Sequence, residues 1–226
     1  MSNASDHDQF LLEGYGLTHG FAGRVLFSDL DIRIGTGQIT ILRGDNGTGK
    51  TTLLRMLAGL LPPLAGLITV TGTPLSDDRV HAARKMVFIG HRDGLAAELT
   101  ARESIELWAR TRGLAPSQQD IEKAFDLLSL GHCTDQPVRV LSAGQRRRCG
   151  MVRLALIAAM DAHHQIPVWL LDEPTTAMDE NAVSSFAGLI EKHAGSGGGV
   201  LLTSHLDLPL KKARNISLGD LQEGQR

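Results

Sequence analysis

The chain has 226 residues, 42% of them hydrophobic, and a formal net charge of −2. This length is enough for one domain with a sizeable core, and the near-neutral charge argues against a broad basic face for nucleic acid. Two cysteines without C-x-x-C spacing fit a reducing cytosol and provide no haem-attachment motif. Arg55, Pro62 and Pro63 interrupt the best apolar stretch, so no run approaches the roughly 18–20 residues that cross a bilayer. We therefore expect any membrane role to depend on a partner.

The N-terminal part predicts a tail followed by β-structure. Residues 1–8 are polar and acidic, and we expect a flexible N-terminus there rather than a signal peptide. Residues 30–34 alternate between apolar and polar side chains, and residues 67–70, between two glycines, have a similar pattern. Such alternation predicts half-buried antiparallel strands.

A glycine-rich loop joins an apolar β-type run at residues 38–42 to a helical pattern that begins near Leu53. The loop has the form G-x-x-x-x-G-K-[ST], which binds phosphate when a strand precedes it and a helix follows. Its glycines let backbone N–H groups turn toward phosphate oxygens. We predict that Lys50 contacts the β- and γ-phosphates of ATP and that Thr51 binds Mg²⁺. The predicted nucleotide-binding residues of this segment are Gly44, Asp45, Asn46, Gly47, Thr48, Gly49, Lys50, Thr51 and Thr52. The alternative, a plain turn before a core helix, is disfavoured by the complete context.

From about residue 92 to residue 160 the pattern is helical. Capping signals at Thr100 and Ser117 open two helices, and a third is predicted from about Gln145 to Met160. A Ser-Ala-Gly turn precedes the third helix and suits a second anion contact. The candidates there are Ser142, Gly144 and Gln145. Two phosphate-binding segments predict an ATPase that clamps two copies together around the nucleotide.

Two other groups of polar residues in this part of the chain are not predicted to bind nucleotide or metal. The run Arg146-Arg147-Arg148 lies at the start of a helix, where positive charge opposes the helix dipole. We expect solvation or a dimer contact to offset that cost. The pair His163-His164 lacks the acidic or Cys neighbours of a metal site.

Two further strands end in candidate catalytic residues. The uninterrupted apolar run 168–171, typical of a strand buried in a parallel sheet, ends in Asp172 and Glu173. Ligands lie beyond the carboxyl ends of such strands, so Asp172 is a candidate Mg²⁺ ligand, through water, and Glu173 a candidate general base. The apolar run 199–204 ends at His205, which we predict to contact the γ-phosphate or the attacking water. An acidic pair that caps a loop is the alternative for Asp172 and Glu173.

Together these segments resemble the ATP-binding subunit of ABC transporters, from about residue 10 to residue 218. The resemblance implies an α/β fold of the P-loop NTPase class and ABC ATPase type, with a mixed sheet core, an inserted helical subdomain and a small antiparallel β part. It divides a single domain, residues 9–226, into an ATP-binding core (9–91 and 161–226) and a helical subdomain (92–160).

The family resemblance also implies how the site is completed. Two subunits sandwich two ATP molecules, so that Ser142 and Gly144 would touch the γ-phosphate held by the other protomer. Asp179, in the segment Thr176-Ala177-Met178-Asp179, belongs to what looks like the dimer-contact loop of the family, and His205 matches its switch histidine. Two positions depart from the common pattern. His91 stands where most members have a glutamine that helps to bind Mg²⁺, and Phe21, with Tyr15 as the alternative, stands for the usual adenine-stacking tyrosine.

The segment Gly90-His91-Arg92-Asp93-Gly94-Leu95 and the Ser-Ala-Gly turn are similar to the cytochrome c maturation branch, the haem exporter ATP-binding subunit. This implies an Mg-ATP hydrolase at the cytoplasmic face of the bacterial inner membrane, bound peripherally to integral-membrane subunits that act in haem export or holo-chaperone release. No residue marks a haem site. The alternatives are the ATPase of another ABC transporter and a soluble ABC-type ATPase in cofactor assembly or DNA maintenance. Residues 91–141 leave no room for the long coiled coils of the DNA-maintenance members. A P-loop kinase is disfavoured by the turn at 141–145.

Overall fold

The structure, a computed structural model, describes residues 10–21, 24–176 and 178–223. The predicted flexible segment 1–8 and Ala177 of the predicted dimer-contact loop lie outside these residues. The strands in chain order are β1 (Phe10–Phe21), β2 (Arg24–Gly35), β3 (Ile39–Arg43), β4 (Ala65–Val70), β5 (Thr73–Pro74), β6 (Met86–Ile89), β7 (Val168–Leu171), β8 (Gly199–Thr203) and β9 (Ala213–Ser217). The helices are α1 (Lys50–Leu57), α2 (Arg79–Lys85), α3 (Ala101–Thr111), α4 (Gln118–Leu127), α5 (Ala143–Ala159), α6 (Glu180–Gly195) and α7 (Leu218–Glu223).

Five strands form a parallel sheet with the order β6-β7-β8-β3-β9. Strands β7 and β8 are buried along their whole length, as expected of apolar strands covered on both faces. Because all five strands run in the same direction, their carboxyl ends share one edge. The loops that follow β3, β6, β7 and β8 therefore meet there. These loops and the start of α1 carry the predicted site residues other than Phe21, Ser142, Gly144 and Gln145.

The other four strands form an antiparallel sheet with the order β2-β1-β4-β5. It covers α1, and the two elements share a core that includes Leu17, Phe27, Leu53 and Met56. The predicted α/β fold with a small antiparallel β part is confirmed, and the core sheet, predicted as mixed, is parallel in all five strands. The two kinds of strand lie in separate sheets.

Helices α3, α4 and α5 lie between β6 and β7 in the chain. Thr100 and Ser117 cap α3 and α4 as predicted, each in a reciprocal capping box. The third predicted helix is α5, which is buried almost all round from Cys149 to Ala158 and packs against α3, α4, α6 and β6. In the described ranges, no helix has the length and apolar character that a bilayer crossing requires.

Candidate nucleotide-binding site

The phosphate loop runs from Gly44, directly after β3, to Gly49, the N-cap of α1. Gly44, Gly47 and Gly49 have φ angles of 135°, 81° and 106°, which L side chains rarely adopt. No side chain caps α1, so its first N–H groups remain available to an anion. A Cβ at Gly49 would lie 3.4 Å from the Phe27 ring. The positive φ angles are therefore the reason why this loop needs glycine, since a Cβ at Gly49 would only reach ordinary van der Waals contact with β2.

Lys50 is held against this loop. Its side chain is buried, with 8% of the residue exposed, and Nζ donates hydrogen bonds to the carbonyl oxygens of Gly44 (2.6 Å) and Asp45 (2.9 Å). These bonds fix a positive charge beside the uncapped N-terminus of α1. The helix dipole and the ammonium group then act on the same anion.

Asp172 and Thr51 meet at the edge of the parallel sheet. Thr51 Oγ1 donates to Asp172 Oδ2 (2.9 Å) and lies 3.1 Å from Oδ1, which also accepts a bond from Thr203 Oγ1 (2.9 Å). Asp172 is 4% exposed. A hydroxyl beside a buried carboxylate supplies the hard oxygen ligands that Mg²⁺ prefers. These residues therefore fit the cation that the phosphate loop implies.

Glu173 has a strained backbone and a poorly paired carboxylate. Its φ of 47° lies in the left-handed region, which costs about 1–3 kcal/mol in a residue other than glycine and is typical of functional sites. Its N–H donates to Thr203 Oγ1 (2.9 Å). Oε1 is buried without a hydrogen bond and lies 3.4 Å from Nε2 of His205. A carboxylate oxygen with spare accepting capacity is suited to polarise a water molecule.

A cavity of about 210 Å³ joins these groups. Its walls are Leu26, Asn46, Gly47, Gly49, Lys50, Thr51, Thr52, Asp172, Glu173 and His205. All of them except Leu26 were predicted from the sequence. Leu26, in β2, adds an apolar wall, and no motif in the sequence marks it.

Eight predicted site residues do not line this cavity: Gly44, Asp45 and Thr48 of the phosphate loop, and Phe21, His91, Ser142, Gly144 and Gln145. Phe21 ends β1 and is 80% exposed, which leaves its ring free to stack. The alternative, Tyr15, instead donates a hydrogen bond to Glu13, and its ring lies 5.0 Å from the guanidinium of Arg33. His91 is exposed and follows β6 at the same sheet edge as Asp172.

The predicted second phosphate contact lies at the N-terminus of α5. Ser142 is exposed and caps the helix: its Oγ accepts from the N–H of Gln145 (3.2 Å), and its own N–H donates to Gln145 Oε1 (2.9 Å). Gln145 Nε2 also lies 3.3 Å from Cys133 Sγ. Asp179 caps α6 and is exposed. These two helix starts lie on the surface of a single copy.

The interpretation of the arginine run was wrong for Arg147. Its side chain is buried, and its guanidinium donates to the carbonyl oxygens of Gly90 (2.6 Å), Asp172 (3.0 Å) and Glu173 (2.8 Å). Burial lowers the pKa of Arg147, and the nearby carboxylates of Asp93, Asp172 and Glu173 oppose that shift. Arg147 is therefore neither solvated nor at the surface of the chain.

Arg43, the last residue of β3, is a second arginine that the sequence did not single out. It donates to the carbonyl oxygens of Ser204 (2.8 Å) and Leu206 (3.1 Å), which flank His205. It also forms an ion pair of 2.9 Å with Asp207. The strand that carries the phosphate loop thus holds the His205 loop in place.

Of the pair His163-His164, only His163 is buried in the core, and His164 is exposed. His163 Nδ1 lies 2.8 Å from His193 Nδ1, and the His193 ring stacks on Trp169 with centroids 3.8 Å apart. Burial lowers the pKa of His193 to about 3, so its ring is neutral at pH 7. Over the described ranges, no cluster of three or more His, Cys, Asp and Glu residues could hold a metal ion.

The parallel sheet, the phosphate loop and the acidic turn after β7 define a P-loop nucleoside triphosphatase. Residues 27–176 match the family described as ABC transporter. The sequence is 38% identical over 200 residues, 88% of this chain and 86% of the relative, to the cytochrome c biogenesis ATP-binding export protein CcmA of Roseobacter denitrificans. It is 38% identical over 210 residues to the protein of that name from Pseudomonas putida, with 92% of this chain and 96% of the relative covered. The chain therefore belongs to the ABC transporter family and is an ATPase of that family.

Solved structures agree with this assignment. The ATP-binding subunit of an ABC transporter superposes with a TM-score of 0.77 at 25% identity, covering 87% of this chain and 80% of that one. A bacterial ABC transporter cassette solved as a dimer has the same fold, with a TM-score of 0.77 at 19% identity and coverages of 92% and 95%. The family resemblance predicted from the sequence is confirmed.

Proposed function

We propose that the chain is the ATP-hydrolysing subunit of an ABC export complex that acts in cytochrome c biogenesis, in haem export or holo-chaperone release. The observation that carries the proposal is the identity of 38% over 88–92% of the chain with proteins named for that process. The site geometry supports the chemical step. A phosphate loop, a buried hydroxyl–carboxylate pair and a carboxylate with spare accepting capacity surround one cavity.

The proposed roles follow from position. Residues 44–52 bind the phosphates of ATP, with Lys50 on the β- and γ-phosphates. Thr51 and Asp172 hold Mg²⁺, which neutralises charge that gathers on the phosphates in the transition state. Glu173 orients and polarises the attacking water, and His205, at 3.4 Å from its carboxylate, contacts the γ-phosphate or that water. Phe21 stacks on the adenine, which its exposure and the pairing of Tyr15 with Glu13 both support.

A second copy of the chain completes the site. Ser142, Gly144 and Gln145 lie outside the cavity of their own copy, at an exposed helix N-terminus that attracts anions. We propose that they reach the γ-phosphate bound by the partner copy, with Asp179 at the contact between copies. Hydrolysis removes the bridging charge and lets the copies separate. The helical segment 92–160 acts as a subdomain that holds these contact residues, and it transmits the formation of the contact to the ATP-binding core, residues 9–91 and 161–226.

His91 is proposed to take the place of the usual glutamine beside Mg²⁺, because it follows β6 at the edge that carries Asp172. His91→Gln should keep turnover within about threefold of the wild type, since both side chains can bridge to the cation through water. Steady-state ATPase assays with and without added Mg²⁺ measure this effect. A complete loss of turnover would contradict the proposed role and show that the imidazole itself is required.

The chain is proposed to bind integral-membrane subunits at the cytoplasmic face of the bacterial inner membrane. An affinity-tagged copy, purified from solubilised membranes, should retain these subunits, which mass spectrometry identifies.

Deletion of the gene should deplete covalently bound haem from c-type cytochromes, measured on haem-stained gels, while b-type haem spectra remain as the control. Wild-type copies, but not Glu173→Gln copies, should restore the c-type bands. Unchanged c-type cytochromes, with membrane subunits of another transporter in the purified sample, would refute the proposal.

A further inference from the structure

Arg147 connects three segments of the site without lining the cavity. One nitrogen of its guanidinium donates to the carbonyl of Gly90, at the end of β6, and another donates to the carbonyls of Asp172 and Glu173, at the end of β7. Its nearest carboxylate is Asp93, at 3.7 Å. The residue itself belongs to α5. A single buried cation thus joins the helix of the Ser-Ala-Gly turn to the His91 loop and to the acidic turn.

The position of Arg147 along α5 gives this contact a direction. Ser142, the N-cap of α5, precedes Arg147 by roughly one and a half turns of helix. A short stretch of regular helix moves as a rigid piece, so a displacement at Ser142 also displaces the root of the Arg147 side chain. The guanidinium is planar, and its donors form a fixed fork. Movement of the guanidinium would therefore displace the carbonyl groups of Gly90, Asp172 and Glu173 together.

One of the backbone segments that Arg147 contacts, that of Glu173, is strained. Glu173 holds a φ of 47°, and its carbonyl accepts the 2.8 Å bond from Arg147. A strained conformation persists only when surrounding contacts determine it. Two such contacts are the hydrogen bond from the Glu173 N–H to Thr203 Oγ1 and the hydrogen bond from Arg147 to the Glu173 carbonyl oxygen. The direction of the Glu173 side chain depends on both.

We propose that Arg147 is a positioning residue. It couples the contact between Ser142 and the nucleotide of the partner copy to the positions of Glu173 and of the His91 loop. The inference rests on the proposed roles of Ser142 and Glu173. Arg147 does not touch ATP; it acts through the backbone of Glu173 and Gly90. When α5 docks, the guanidinium holds the acidic turn in the orientation that presents the Glu173 carboxylate to water.

The chain offers a matched control on the same helix. Arg153, also buried and also in α5, donates to the carbonyl oxygens of Asp93 (3.1 Å) and Gly94 (2.6 Å). It therefore binds the loop that follows His91 but has no bond to Asp172 or Glu173. Substituting either arginine removes a buried cation from α5. Only the substitution of Arg147 releases the acidic turn.

The experiment compares Arg147→Gln, Arg147→Lys and Arg153→Gln by ATP affinity, kcat, KM and melting temperature. Arg147→Gln should lower kcat by about tenfold or more while ATP affinity and KM stay within about threefold, because the bonds of Arg147 go to no residue of the phosphate loop. Arg147→Lys, which keeps the charge and can reach one carbonyl, should recover part of kcat. Arg153→Gln should lower the melting temperature similarly but change kcat by less than about threefold. If the glutamine variant does not fold, the lysine variant carries the comparison with Arg153→Gln.

A double-mutant cycle separates this inference from the proposed role of Glu173. If Arg147 acts through Glu173, Arg147→Gln should reduce the residual turnover of Glu173→Gln by less than about twofold. Full additivity of the two effects would overturn the inference, and so would equal losses of kcat in Arg147→Gln and Arg153→Gln that follow their melting temperatures. Wild-type turnover in Glu173→Gln would instead refute Glu173 as the base, a result that is visible without any Arg147 variant.

Discussion

Replacing Glu173 by glutamine is expected to lower ATP turnover by about a hundredfold or more, because general-base catalysis contributes factors of that size. The amide keeps the shape of the carboxylate but cannot accept a proton from water. ATP affinity should change little, since the phosphate loop and the Thr51–Asp172 pair remain in place. Occupancy of ATP at steady state should rise, because bound nucleotide is no longer consumed. Single-turnover kinetics with radiolabelled ATP measures the chemical step, and filter binding measures occupancy.

Glu122→Gln is the control for this substitution. Glu122 lies on α4 and is exposed, and its carboxylate accepts a hydrogen bond from Gln118. It undergoes the same chemical change away from the cavity and should keep wild-type turnover. Single-turnover rates that are equal in Glu173→Gln and Glu122→Gln would reject Glu173 as the base and direct attention to His205.

Ser142→Arg is expected to abolish turnover, by about a hundredfold or more, while ATP binding stays within about threefold of the wild type. The residue is exposed and outside the cavity of its own chain, so the substitution changes no residue that lines the ATP cavity of the same copy. In the proposed pair of copies it would stand between α5 and the partner's γ-phosphate. Equilibrium binding and ATPase assays on the same preparation separate the two effects.

Loss of a helix cap costs about 0.5–2 kcal/mol by itself, and Ser117→Arg controls for that cost. Ser117 caps α4 in a capping box of the same kind, with Asp120 in place of Gln145. Ser117→Arg should lose a similar amount of stability and retain its turnover. Full activity of Ser142→Arg would exclude a site shared between two copies.

The parts of the site that the sequence predicted are those that local pattern determines. The apolar run 168–171 became β7 with the same bounds, and the acidic pair after it lies at the strand edge as expected. The phosphate loop was recognisable because its glycines, Lys50 and Thr51 act within a few residues of one another. The capping boxes at Thr100 and Ser117 are equally local.

The missed contacts depend on the packing of distant segments. The run of three arginines predicts solvation or a dimer contact for Arg147, whereas the structure buries its side chain and leaves Arg146 and Arg148 half-buried on either side of it. Its acceptors are backbone carbonyls, which no side-chain motif records. Arg43 was missed for the same reason, since it binds the carbonyls on either side of His205. Leu26 reaches the cavity only because β2 packs against the loop at Gly49.

Sedimentation velocity of the Glu173→Gln chain tests the central claim, that the γ-phosphate of ATP joins two copies. At saturating Mg-ATP the account predicts a species of twice the chain's mass that holds two nucleotides. It also predicts that adding Ser142→Arg returns the protein to single copies that still bind ATP. Single copies of Glu173→Gln, each saturated with its own nucleotide at every protein concentration, would contradict it.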